Sequence, residues 1–104
     1  MANDIKKLKR VVRDLRSAKN NQTIKSLDKI AELFGCEIDT NSANENRLYY
    51  APFKDLQHAR AAVAIPHGGK AEVLSAYVGK LLTMLNEIIE RLDEEQGKDG
   101  DLDG

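Results

Sequence analysis

The side chains able to do chemistry in this sequence are few, and most sit in one short run, Ile65-Pro66-His67-Gly68-Gly69-Lys70. It lies where a strand should hand over to a helix. Free amides at a helix N-terminus bind anions, and glycine lets a phosphate approach closely. A nucleotide-binding loop would need Gly at position 64 and Ser or Thr at 71, where this chain has Ala64 and Ala71. Two readings remain: His67 and Lys70 touch a nucleic-acid phosphate, or the run is a plain connecting turn. His67 is also the one candidate for general acid–base work, since imidazole titrates near neutrality. Most lone loop histidines are polar surface, so no catalytic set is assigned beyond that candidate. Neither His67 nor His58 has a Cys or a second His one helical turn away. No metal site and no cofactor are expected.

Three further features carry weaker signals. Arg47 and Tyr49 alternate along a strand and can pair and stack with nucleic acid if their face is exposed; cross-strand packing or a protein interface explains them equally well. Cys36 alternates inward with Ile38 and reads as core rather than nucleophile. Asp99-Gly100-Asp101-Leu102-Asp103-Gly104 matches the opening of a calcium loop, but the bidentate Glu that should follow is missing. An acidic, disordered segment is the better reading.

These residues must be held by a small frame. One hundred and four residues suit a single domain. A single cysteine excludes an intrachain disulfide. No apolar run approaches the roughly 18–20 residues of a membrane span, and the opening residues lack the apolar core of a secretory signal, so a cytoplasmic location and no membrane partner are expected. The net charge of −1 is unevenly spread. Through Phe34 there are nine Lys/Arg against four Asp/Glu; from Glu87 onward there are eight acids against two bases. A basic head attracts a polyanion, or the acidic end of a second copy.

Hydrophobic spacing predicts the elements. Ile5, Leu8, Val11, Val12 and Leu15 define an amphipathic helix over about 4–18, with Lys6, Lys7, Lys9, Arg10, Arg13 and Arg16 opposite. Thr23 caps a second helix that stops at Gly35. The period then shortens from 3.6 to 2, giving strands over 36–40, 47–51 and 60–65. Leu48 and Tyr50 are expected to face inward. The open face would then show Glu37, Asp39, Arg47, Tyr49 and Arg60. A last helix, 71–95, carries a broad stripe from Val73 and Leu74 to Leu92. That stripe is longer than three short strands can cover, so its distal part should meet the first helix or a partner. The expected class is α+β, in the order α-α-β-β-β-α. Its parts are a basic amphipathic helix (1–22), an α+β unit (23–95) and a disordered acidic segment (96–104).

The segment from Thr23 to Leu85 resembles the HicA-type toxins of bacterial toxin–antitoxin systems. The likeness rests on Leu33-Phe34-Gly35-Cys36-Glu37-Ile38, on Leu48-Tyr49-Tyr50, and on Val63-Ala64-Ile65-Pro66-His67-Gly68-Gly69-Lys70, with Val78, Leu81 and Leu82 where that family's closing helix has its apolar residues. It covers about 60% of the chain. The resemblance implies a fold like the double-stranded-RNA-binding domain, a role on RNA, and an antitoxin-like protein partner. Active members cut mRNA without a metal, using a histidine in a Gly-Ser-His-His-like stretch on the second strand. Here that stretch is Asn44-Glu45-Asn46-Arg47-Leu48, with no histidine. The first helix is extra, the loop from Pro52 to His58 is longer, and the closing helix lacks the family's Gly-Thr and runs on. The catalytic role therefore does not carry over, whereas the fold and an RNA surface of Arg47, Tyr49, His67 and Lys70 do.

Two functions from different classes compete. One is a HicA-like RNA-binding domain without ribonuclease activity; the other is a self-associating interaction module, favoured by the long apolar stripe and the oppositely charged ends. A metal-independent ribonuclease using His67 ranks behind both. A homo-oligomer is expected.

Overall fold

The computed structural model describes residues 5–40, 45–66 and 72–103, with side chains through Gln96. The elements run α1 (Ile5–Ser17), α2 (Ile24–Leu33), β1 (Glu37–Asp39), β2 (Asn46–Tyr50), β3 (Arg60–Ala64) and α3 (Ser75–Asp103), with a 3-10 turn at Lys19–Asn21 between the first two helices. This is the predicted α+β order.

Local chemistry fixes α2 at both ends. The Thr23 hydroxyl accepts from the Ser26 N–H at 3.2 Å and the Ser26 hydroxyl accepts from the Thr23 N–H at 2.9 Å, so two otherwise orphaned donors are satisfied. At the other end Gly35 turns left-handed, φ +76°. Its N–H donates to Glu32 O and that of Cys36 donates to Ala31 O, both at 3.0 Å, which closes the helix and launches β1.

The sheet is antiparallel, in the order β1-β2-β3. Ile38 lies opposite Tyr49, and Tyr49 opposite Ala61; Arg47 lies opposite Val63. Opposed residues share a face, so Ile38, Arg47, Tyr49, Ala61 and Val63 point to the helix side. Glu37, Asp39, Leu48, Tyr50, Arg60, Ala62 and Ala64 point away. In β1 and β3 this is the expected phase. In β2 it is inverted: Tyr49, expected on the open face, has no exposed surface, while Leu48 and Tyr50 face outward. Leu48-Tyr49-Tyr50 is an unbroken apolar run, so alternation alone could not choose its phase; one step flips every side chain. Tyr49 wins the inner position because its hydroxyl finds a partner there.

α3 begins later than expected, at Ser75. Val73 is buried and anchored, its N–H donating to Gln22 O at 2.7 Å, but Leu74 is 69% exposed instead of joining the apolar stripe. The helix also runs to Asp103, past the boundary expected near 95; Gly97 and Gly100 weaken it but no proline stops it. Its distal apolar residues are covered within the chain. Ile5, Leu8, Val12 and Leu15 of α1 share a core with Met84, Leu85, Ile88 and Ile89 of α3. Lys9 sits 3.4 Å from Asp93, while the 3-10 turn after α1 meets α3 and Gln22 meets its entry, so α1 and α3 run antiparallel. The excess apolar surface on which self-association was expected to rest is thereby removed for Ile88 and Ile89. No described helix is long and apolar enough to cross a membrane.

Candidate nucleic-acid interface

Of the four residues expected to meet RNA, the structure describes two. It brings Arg47 and Tyr49 together, on the buried side of β2 rather than the open one. The Tyr49 hydroxyl donates to Asp28 Oδ1 of α2 at 2.8 Å, and Arg47 Nε lies 3.2 Å from the same oxygen. Burial, and then the hydrogen bond to Asp28, push the Tyr49 phenol well above its ordinary range, although Arg47 pulls the other way. The Arg47 Nε atom is buried without a well-aligned hydrogen-bond partner, so its contact with Asp28 is an attraction of charges more than a directed bond. A ring with no exposed surface offers no face to a base. Arg47 and Tyr49 thus clamp α2 to the sheet, which corrects their expected placement on an open face. His67 and Lys70 lie outside the described residues.

Cys36 is half-buried, and burial pushes its thiol up to about 12, which leaves negligible thiolate at neutral pH. It belongs with the core, as its inward alternation predicts.

Sequence reading missed a second polar cluster. The loop Pro52–His58, closed by the Ala51 N–H donating to Ala59 O at 2.7 Å, is latched onto α3 at two points one turn apart. His58 meets Glu87 twice: its N–H donates to Oε1 at 3.1 Å, and its Nδ1 contacts Oε2. Arg91 contacts the Asp55 carboxylate and lies over the Phe53 ring, 5.0 Å from its centre. Desolvation works to raise the Glu87 carboxyl, but the side-chain and backbone hydrogen bonds from His58 outweigh it and hold Glu87 below its ordinary value. The available signal was an acid and a base at i and i+4 on the closing helix, with another acid and a histidine in an over-long loop. Glu87 orients the ring through Nδ1 and leaves Nε2 for any further partner. Among the described residues no group of three His, Cys, Asp or Glu side chains is placed to hold a metal.

A strongly cationic surface lies on α1. Its apolar positions face α3, so Lys6, Lys7, Lys9, Arg10, Arg13 and Arg16 are all exposed, with one acid, Asp14, among them. At 3.6 residues per turn these bases span about half the circumference of the helix. Two of these bases meet weak countercharges: Lys9 lies 3.4 Å from Asp93 and Arg13 4.0 Å from Asp14, all with side chains more than half exposed.

No family model matches the chain, and no curated protein or solved structure matches it.

Proposed function

We propose that this chain is a HicA-like RNA-binding domain of the cytoplasm, related to the mRNA interferases of bacterial toxin–antitoxin systems and lacking their ribonuclease activity. One observation carries the reading: α1 has its apolar side spent on α3 and its basic side turned to solvent. A basic amphipathic helix with a free apolar side would suit a membrane surface. With that side buried, what remains is a polyanion-binding face about four turns long. The order α2-β1-β2-β3-α3 agrees with the resemblance, which implies a fold like the double-stranded-RNA-binding domain. In this reading RNA meets Lys7 and Arg10 of α1, together with His67 and Lys70. Arg47 and Tyr49 hold α2 to the sheet and are not part of that surface. Cleavage is not expected, because the second strand offers Asn46 and Arg47 where the resembling family has its histidine.

The test is a titration of labelled RNA with the purified protein at several salt concentrations, with chelator present. Affinity should fall steeply with salt, and Lys7→Glu with Arg10→Glu should weaken it and reduce the slope of log K against log salt by about 1.4 for single-stranded RNA. The RNA should remain intact throughout. Absence of binding at low salt would overturn the reading. Cleavage abolished by His67→Ala would replace it with the ribonuclease.

A further inference from the structure

A groove of about 370 Å³ runs between α1 and α3. Val12 and Ile89 form its floor; Lys9, Arg13 and Arg16 line one wall and Glu90 the other. The cationic wall is under-used. Arg13 reaches only Asp14, at 4.0 Å with both side chains more than 70% exposed, and Arg16 has no ion-pair partner among the described residues. The floor is apolar, so a fitting ligand combines several carboxylates with one aliphatic anchor.

The chain contains such a segment. Residues 98–103, Lys98-Asp99-Gly100-Asp101-Leu102-Asp103, hold three carboxylates, and Leu102 is the one large apolar residue after Leu92. Its own groove is out of reach. α3 is continuous through Asp103, and a rise of 1.5 Å per residue places Asp101 about 16 Å beyond Glu90 along the axis. α3 therefore carries this segment past the chain's own groove.

We infer that segment 98–103 of α3 docks in the α1–α3 groove of a second copy of this chain, the carboxylates of Asp99 and Asp103, which with Leu102 share one side of a helix, against Arg13 and Arg16, and Leu102 over Val12 and Ile89. Lys98, the segment's one base, complements Glu90. The exchange is reciprocal: the two α3 helices run antiparallel about a two-fold axis and each copy fills the other's groove, so the assembly closes at two. The two readings share the basic side of α1 but use different residues of it, Lys7 and Arg10 for RNA and Arg13 and Arg16 for the second copy, so mass and RNA binding are measured separately.

Light scattering coupled to size exclusion tests it on the full chain at about 100 µM and low salt, a concentration that populates dimers with dissociation constants in the micromolar range. The expected mass is twice 11.6 kDa, falling towards one copy as salt rises. Arg13→Glu with Arg16→Glu should give a monomer, and so should Asp99→Lys with Asp101→Lys and Asp103→Lys. An equimolar mixture of the two variants should regain the dimer, because each altered groove meets a segment of opposite charge. A monomeric parent overturns the inference, as does a dimer that survives either reversal. Loss of the dimer in both variants without recovery on mixing overturns the pairing of segment with groove. An unchanged mass with lost RNA binding in Arg13→Glu/Arg16→Glu assigns the groove to nucleic acid instead.

Discussion

Tyr49 joins two roles that a surface residue would keep apart. Its ring fills the space between the sheet and α2, and its hydroxyl reaches Asp28, which also faces Arg47. Asp28 therefore lies between a buried donor and a cation, and removing either partner leaves the other two poorly matched. Tyr49→Phe keeps the ring and loses one hydrogen bond; we expect a cost of about 1 kcal/mol. Tyr49→Ala empties the site and should cost about 3–5 kcal/mol. Urea denaturation measures both. If Tyr49→Ala were as stable as the parent, the ring would not be the clamp described above. RNA binding should be indifferent to Tyr49→Phe, provided that the protein is folded, since the ring is not on the surface.

Gly35 shows how an element's end is written into a residue. Both hydrogen bonds that close α2 depend on a left-handed backbone at this position, and β1 begins two residues later. Any side chain here is strained by conformation, although the space around it is open, with Pro52 4.0 Å from a would-be Cβ. Gly35→Ala should cost about 1–2 kcal/mol, read as a lowered thermal midpoint with little change in circular dichroism. A neutral substitution would mean that α2 can end in another way. Such ends were legible in the sequence: Thr23, Gly35 and the change of period at Cys36 set α2 and β1 to within a residue or so. β3 was legible too, because charged Arg60 and the small alanines leave only Ala61 and Val63 to face inward. The phase of β2 was not, since three consecutive apolar residues fit either face and the deciding partner, Asp28, stands 21 residues away. The candidate site inherited that error through Arg47 and Tyr49. The entry to α3 was misread for a related reason: Val73 and Leu74 are spaced like helix residues, and only the tie from Val73 to Gln22 shows that they precede it.

At the scale of the molecule, the over-long loop and α3 are joined by His58–Glu87 and Arg91–Asp55, and the first of these is sensitive to acid. The Glu87 carboxyl is held below its ordinary 4.5 in the folded protein. A carboxyl lowered by folding contributes stability above its unfolded value and loses it as pH falls through the folded one. Loosening of the loop should therefore set in below about pH 4.5. Protection of the amides in residues 51–59, taken relative to the intrinsic exchange rate at each pH, should fall there, whereas in His58→Ala it should be low already at pH 6. A loop whose protection is unchanged by either treatment is not held by this contact. The other long-range seam, α1 against α3, bears on how the protein is made. Lys9 and Asp93 are separated by 84 positions, so during synthesis α1 emerges long before the surface that covers it. At about 5–20 residues per second the delay is roughly 4–17 s. Through that interval Ile5, Leu8, Val12 and Leu15 lack the α3 surface they share a core with, and the six bases on the opposite side keep this apolar stripe in solution and repel another nascent chain in the same condition.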